Sequence, residues 1–191
     1  MYDHIDALPE TPIEPVVTIG NFDGVHRGHQ AILSRLKEEA ARLSAPTMVI
    51  TFSPHPGQIL RPSVPHHALM SLREKMRCLW DLGVDHTLVI RFDQDFMEMT
   101  AAEFVEDVLW GALKVRAVHV GRDTRFGRGR EGDVGYLASE GRRLGFHVGL
   151  VEPVLVDGEV ISSSRVRKAV LGGQLRDASR LLGRAHRVVG V

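Results

Sequence analysis

Five short runs of apolar residues recur along the chain, separated by longer segments of mixed polarity. The runs are PVVTIG, TMVITF, HTLVIRF, RAVHVG and FHVGLVEP. Most are apolar at successive positions, which is typical of strands buried on both faces of a parallel sheet. Because the segments between them have helical periodicity, the pattern predicts alternating strands and helices.

Helix-start signals support the helical segments. Ser71 with Glu74, and Thr100 with Glu103, have the spacing of a capping box immediately before amphipathic stretches. Right-handed crossovers would place these helices on both faces of the sheet. The sequence predicts helices near 29–43, 71–82, 100–113, 133–144, 163–171 and 175–182.

Two segments interrupt the alternation. Asp157-Gly158, between apolar stretches, predicts the turn of a β-hairpin. Segment 53–67 has four prolines and no periodicity, which indicates a long loop. The predicted fold is α/β: an open, doubly wound, mainly parallel five-stranded sheet of Rossmann-like type with a C-terminal hairpin and short helices. Such sheets bind ligands outside the carboxyl ends of their strands.

Composition narrows the classes of function. With 191 residues, 43% of them hydrophobic, the chain suits one ordinary domain with a substantial core. No apolar run approaches the length of a membrane span, and the N-terminus does not resemble a secretory signal, so we expect a cytoplasmic protein with no membrane partner. The net charge is zero, which gives no reason to expect a nucleic-acid partner.

The segment GNFDGVHRGH follows the first predicted strand, which ends at Gly20. A strand, a tight turn and a helix N-terminus form a natural anion site, because the first amides of a helix lack intrahelical partners. His26 and His29 lie at this position, and Gly28 leaves room for a ligand. The pair could bind a metal, fill the core or contact a phosphate. A zinc site lacks a supporting pattern of Cys or Glu.

Two later segments carry similar signals. Ser162, Ser163 and Ser164 stand where a helix is predicted to begin, with Arg165 close behind, so this segment could form a second anion site or a simple helix cap. Asp123 follows the fourth predicted strand, where it could contact a ligand or form a turn.

At this point the sequence resembles a known family. GNFDGVHRGH resembles the signature of the prokaryotic FAD synthetases, the FMN adenylyltransferase module of bifunctional riboflavin kinase/FMN adenylyltransferases, and contains the H-x-G-H element of the wider nucleotidyltransferase superfamily. TFSPHP, GRDTRFGRGREGD and ISSSRVRKAV resemble further elements of that family in the same order. The chain departs from the pattern at Thr124, where an aromatic residue is common, and at Arg122.

The resemblance implies attack by the phosphate of FMN on the α-phosphorus of ATP, giving FAD and pyrophosphate. It also implies a Mg²⁺ ion that is held mainly by phosphate oxygens, with Asp123 as the candidate protein ligand. It implies catalytic roles for His26, His29, Ser162 and Arg165. It implies nucleotide binding by Gly20, Asn21, Phe22, Asp23, Gly28, Ser163 and Ser164, and flavin binding by Pro54, His55, Pro56, Arg61 and Asp123.

The resemblance also suggests a domain division. Residues 1–182 would form the nucleotidyltransferase domain, and 183–191 resemble the start of a riboflavin kinase module, whose activity we do not expect from this chain. Such a module, in a full-length chain or in trans, is the expected partner. The alternatives are another small-molecule nucleotidyltransferase, a flavin- or nucleotide-binding module without turnover, and the catalytic half of a class I tRNA synthetase, although a K-M-S-K-S-like stretch is missing.

Overall fold

The computed structural model describes residues 1–63, 65 and 67–187. Two residues of the predicted proline-rich loop, Val64 and His66, lie outside the described residues. The same holds for the end of the predicted C-terminal tail, 188–191.

A parallel sheet of six strands forms the centre of the described structure, in the order β1-β4-β3-β2-β5-β6. The five predicted strands are confirmed as β2 to β6, and a short N-terminal strand is added that pairs with β4 at one edge. The strands are β1 (Tyr2–Asp3), β2 (Val16–Ile19), β3 (Thr47–Ser53), β4 (His86–Arg91), β5 (Ala117–Gly121) and β6 (His147–Val151).

The direction of strand addition reverses at β2. From β2 the chain adds β3 and β4 on one side, and then returns to add β5 and β6 on the other. The carboxyl ends of β2, β3 and β5 are therefore neighbours. In open sheets of this kind, the ligand crevice lies at such a reversal.

Helices connect the strands as the periodicity predicts, with ends that differ by one or two residues. Two short helices, α2 and α4, were not predicted, and α2 lies in the segment expected to be a loop. The helices are α1 (Arg27–Leu43), α2 (Pro56–Leu60), α3 (Leu72–Asp81), α4 (Gln94–Glu98), α5 (Ala101–Glu103) continuing as a π-helix (Phe104–Ala112), α6 (Val134–Leu144), α7 (Ser163–Leu171) and α8 (Leu175–Leu182).

Both faces of the sheet are covered by apolar layers. On one face, Leu33 and Leu36 of α1 and Leu79 of α3 pack among buried residues of β2 and β3. On the other face, the π-helix and α6 contribute Leu109 and Leu137 to the larger core. Each fully buried leucine contributes roughly 2 kcal/mol of transfer free energy, so the two layers hold the sheet and its connecting loops in place.

A hairpin and two helices close the carboxyl side of the fold. Strands β7 (Leu155–Val156) and β8 (Glu159–Val160) are antiparallel, as predicted from Asp157-Gly158, and both turn residues have positive φ angles of 57° and 78°. Such angles are those of a type I′ turn. Helices α7 and α8 pack together through Val166, Leu181 and Leu182. No helix in the described part of the chain combines the length and apolarity that a membrane crossing needs.

Candidate active site

The turn after β2 delivers both motif histidines to the carboxyl edge of the sheet. Helix α1 begins at Arg27, two residues earlier than predicted, and His26 is its N-cap. The Nδ1 atom of His26 accepts a hydrogen bond from the backbone N–H of His29 at 3.3 Å. Because Nδ1 is the acceptor, the neutral ring carries its proton on Nε2.

The two imidazoles form one stacked unit. Their centroids are 3.6 Å apart with an interplanar angle of 15°, and the ring of Phe22 lies 4.7 Å from that of His29. Gly28 lets the His26 ring pack closely on the backbone, since a Cβ there would make a tight contact of 3.1 Å with the ring. The Nδ1 atom of His29 is buried and has no hydrogen-bond partner among the described residues.

Both histidines are neutral near pH 7. Burial lowers the pKa of His26 to about 4, although the charge of Asp23 opposes the shift. Burial also lowers the pKa of His29 well below 6.5, and the nearby His26 and Lys75 lower it further. The site therefore presents uncharged imidazoles, each with one N–H that can donate a hydrogen bond.

We expect the free energy of unfolding to fall as the pH is lowered from about 6.5 to about 4. The pKa of His26 is about 4 in the folded chain against 6.5 for an exposed histidine, so across this window the unfolded state binds the proton first. The loss attributable to His26 is at most about 3 kcal/mol.

Urea denaturation at pH 4.5 and pH 7 measures this loss. His26→Asn, which keeps a helix-capping side chain that does not titrate, should lose less stability over the same interval. An equal loss in both proteins would exclude His26 as the source.

Asp23 ties the turn to the C-terminal helices. Its Oδ2 accepts a hydrogen bond from Nη2 of Arg167 at 2.8 Å, and its Oδ1 accepts one from the backbone N–H of Leu69 at 2.9 Å. The Oγ of Ser163 donates to the Asp23 carbonyl at 2.8 Å. With both carboxylate oxygens engaged and only 2% of the residue exposed, Asp23 holds the turn against α7.

The serine and arginine segment lies beside the turn that follows β2. Ser162 is the N-cap of α7 and Ser164 is exposed. The guanidinium of Arg165 donates to the carbonyls of Val156 and Glu159 in the hairpin, each at 2.9 Å. These contacts fix the arginine close to the helix N-terminus.

The proline-rich segment begins at the carboxyl end of β3, next to β2. The Ser53-Pro54 peptide bond is cis. His55 is the N-cap of α2, and its Nδ1 accepts a hydrogen bond from Gly57 N–H at 3.0 Å. Arg61 ends the helix and is exposed. The residues predicted for flavin binding thus start at the expected edge, although part of the segment is helical rather than irregular.

The loop after β5 lies on the other side of β2. Asp123 is exposed just beyond the end of β5, and Phe126 is buried beneath the loop in the larger core. The side chain of Arg122 forms an ion pair with Glu152 at the surface and does not pack in the core. Thr124, the other departure from the family pattern, is partly buried.

Lys75 belongs to the same neighbourhood but was not predicted as a site residue. It is 6% exposed, and its Nζ donates to the Oγ1 of Thr51 at 3.3 Å. Thr51 in turn donates to the carbonyl of Asn21 in the turn after β2. Burial lowers the pKa of Lys75, and no carboxylate among the described residues forms an ion pair with it. A buried lysine beside the carboxyl ends of the strands is suited to an anionic ligand.

A basic groove of about 620 Å³ opens on the outer side of the turn. Its lining includes Arg27, Arg180, Arg184 and Asp157. The Nη2 atom of Arg184 donates to the Gly24 carbonyl at 2.8 Å, so the beginning of the predicted tail supports the turn.

Comparison with known proteins identifies relatives that match nearly the whole chain. The model of the FAD synthetase family matches residues 8–165. The bifunctional riboflavin kinase/FMN adenylyltransferase of Escherichia coli strain K12 is 42% identical over 187 residues, which are 97% of this chain and 60% of that protein. The protein of the same description from Pseudomonas fluorescens is also 42% identical, over 92% of this chain and 56% of its own length. The chain therefore spans about 60% of the length of these curated relatives.

A solved structure shares the fold. The crystal structure described as a macrolide-efflux protein from Streptococcus pneumoniae superposes with a TM-score of 0.84 and 28% sequence identity, covering 96% of this chain and 60% of that one. The predicted fold class is confirmed by this likeness and by the sheet topology.

Proposed function

Because this chain belongs to the FAD synthetase family, we propose that it is an FMN adenylyltransferase that joins FMN and ATP to give FAD and pyrophosphate. The observation that carries the proposal is the stacked pair of neutral imidazoles, His26 and His29, at the N-terminus of α1 beside the strand reversal. The loops that follow β3 and β5 contain the residues predicted for flavin binding, and they lie on either side of the carboxyl end of β2.

The proposed chemistry is direct attack of the FMN phosphate on the α-phosphorus of ATP. The bond from phosphorus to the attacking oxygen forms as the bond to the pyrophosphate oxygen breaks, and pyrophosphate leaves with the electron pair. A phosphate monoester has a second pKa near ~6, so the nucleophile is largely ionised at neutral pH and needs no general base. The protein then has to position the two phosphates and stabilise the developing charge.

Different side chains position the phosphates and stabilise the developing charge. His29, stacked on His26, donates a hydrogen bond to the α-phosphoryl oxygen as the charge on that oxygen increases. Lys75 supplies a buried positive charge on the side of β3. The free amides at the start of α7, with Ser162, Ser164 and Arg165, bind the leaving pyrophosphate.

Magnesium fits this arrangement as a companion of ATP. Asp123 offers an exposed carboxylate at the end of β5, and oxygen is the ligand that magnesium prefers. The strand ends bring together no group of three metal ligands within the described ranges, so phosphate oxygens would supply most of the coordination. When bound, the ion neutralises charge on the phosphates.

The reaction is tested by incubating the purified chain with ATP, magnesium and either FMN or riboflavin, and by separating the flavins chromatographically. We expect FAD from FMN and no new flavin from riboflavin. Binding of FMN without FAD would support a flavin-binding module that lacks turnover. A transfer of AMP to a different acceptor, with FMN left unchanged, would support another nucleotidyltransferase.

Arg165→Ala should raise the KM for ATP roughly tenfold, as expected for loss of a hydrogen bond to a charged group. The hairpin carbonyls hold the arginine at the start of α7, in the segment assigned to the leaving pyrophosphate. Steady-state kinetics with varied ATP and saturating FMN measure the effect. Arg176→Ala, in the exposed part of α8, is the control, and an unchanged KM for ATP in Arg165→Ala would contradict this assignment.

A further inference from the structure

A second cluster of chemically active side chains lies away from the strand ends. Glu39 of α1, His119 of β5 and His147 of β6 each offer a ligand atom, and these atoms lie within 4.8 Å of one another. It is the one group of at least three such side chains found in the described part of the chain. The proposed transfer reaction uses none of these residues.

The topology explains why the three side chains meet. In the register of β5 and β6, Ala117 pairs with His147 and His119 pairs with Gly149, so both histidines project from the same face of the sheet. Ala117 belongs to the layer covered by α1, which identifies that face. Helix α1 runs back across the sheet from His26, and Glu39 lies about 20 Å further along its axis. The cluster is therefore separate from the imidazole pair.

His119 is built into the fold with an unused ring atom. The residue is 8% exposed, and its Nε2 is buried without a hydrogen-bond partner among the described residues. Gly149 provides the space for the ring, because a Cβ at that position would lie 2.5 Å from Nδ1 of His119. Burial lowers the pKa of His119, which favours the neutral form that metals bind.

Glu39 is held as an oriented carboxylate. Its two oxygens accept hydrogen bonds from Nε and Nη2 of Arg42 at 3.0 and 2.7 Å. These bonds lower the pKa of Glu39 and keep it ionised. Outer hydrogen bonds of this kind orient carboxylate ligands in metal sites.

His147 supplies the accessible side of the cluster. Its Nδ1 lies 3.7 Å from Oε1 of Glu39, and its side chain is 61% exposed. The ring can therefore adjust towards a ligand at little cost in packing. Its exposure also gives an ion a path from solvent.

We propose that Glu39, His119 and His147 form a zinc-binding site with three protein ligands and a fourth position open to water. Two imidazoles and one carboxylate are a ligand set that zinc accepts, in tetrahedral geometry. Bond lengths of about 2.1 Å place the ligand atoms about 3.4 Å apart. The present separations reach that value through small movements, chiefly of His147.

A bound ion would join three elements that the backbone does not connect directly. It would fasten the edge strand β6 to β5 and to the second half of α1. Because the complete ligand set exists only in the folded chain, zinc would stabilise the folded state. The proposed role is therefore stabilisation of the folded chain, with water as the fourth ligand.

Zinc binding to the intact chain is measured by equilibrium dialysis with ZnCl₂, followed by metal analysis. We expect one zinc ion in the wild type and a dissociation constant raised roughly tenfold or more in His147→Ala and Glu39→Gln. His67→Ala removes another exposed histidine and should bind zinc as the wild type does. Cobalt(II) should give the visible absorption of a tetrahedral site in the wild type and lose it in His147→Ala.

Thermal unfolding provides the second measurement. Zinc should raise the Tm of the wild type and of His67→Ala but not that of His147→Ala, whose Tm without metal should match the wild type because the substituted side chain is largely exposed. FAD synthesis by His147→Ala without added zinc should be unchanged if the proposed function holds. Equal zinc affinity in the wild type and His147→Ala, or no zinc bound by the wild type, would overturn the site.

Discussion

Replacement of His29 by alanine should lower the rate of adenylyl transfer by about 100-fold or more, the usual effect of removing one preorganised group that stabilises developing charge. The reason lies in its fixed environment. The ring is clamped between His26 and Phe22, and its buried Nδ1 has no partner among the described residues. A phosphoryl oxygen bound at the N-terminus of α1 would provide the hydrogen-bond partner that the His29 ring lacks.

The loss should appear in kcat rather than in KM. A hydrogen bond that strengthens as charge accumulates on the α-phosphoryl group contributes more to the transition state than to bound ATP. Rapid-quench or steady-state measurement of FAD formation from FMN, with ATP varied, separates the two parameters. His29→Asn, which keeps a donor of smaller size, should recover part of the rate.

Two controls connect the loss to chemistry rather than to folding. His86→Ala removes a histidine at the amino end of β4, far along the sheet from the turn, and should leave the rate unchanged. Urea denaturation of His29→Ala establishes that the protein measured is folded. Wild-type kcat in folded His29→Ala would remove the catalytic role assigned to this residue.

Local signals were sufficient to predict the main elements of the fold. Apolar runs with helical segments between them predict β2 to β6 and their connections. The reason is that the strand pattern and the helix pattern can each be recognised within a short stretch of sequence. Strand β1 has two residues and forms only through its pairing with β4, so no local pattern marks it. Helix α2 forms within a proline-rich stretch because Pro56 occupies its first turn, where the missing N–H does no harm, and His55 caps it.

The candidate site shows the same division between local and distant signals. The spacing of His26 and His29 predicts that they lie together at a helix N-terminus, and the stacked rings agree with that interpretation. The burial of Lys75 could not be predicted in this way, since a single lysine in an amphipathic helix is typical of a solvated face. Its position depends on how α3 packs over Thr51.

Asp23→Ala should lower the free energy of unfolding by about 3 kcal/mol or more, the size expected when one partner of a largely buried ion pair is removed. The Asp23 carboxylate is 3% exposed and the Arg167 side chain 19% exposed. Truncation leaves that guanidinium without its anion and the N–H of Leu69 without its acceptor. The cost is therefore mainly that of the groups left unpaired.

A double-mutant cycle distinguishes this cause from simple loss of packing. Asp23→Ala with Arg167→Met removes both charges and leaves an apolar chain against the turn, so the double variant should be more stable than Asp23→Ala alone. Urea denaturation of the four proteins provides the coupling energy. Additive losses, or an Asp23→Ala protein that unfolds at the wild-type midpoint, would show that the pair does not hold the turn.

The same pair connects stability to activity across the chain. Residues 23 and 167 are 144 positions apart, and their ion pair fixes the start of α7 against the turn that carries His26 and His29. Loss of Asp23 should therefore weaken both anion sites together. We expect Asp23→Ala, assayed under conditions where it is folded, to show a raised KM for ATP as well as a lower kcat, whereas His29→Ala lowers kcat alone. An Asp23→Ala enzyme with unchanged KM would place the two anion sites in independent structural units.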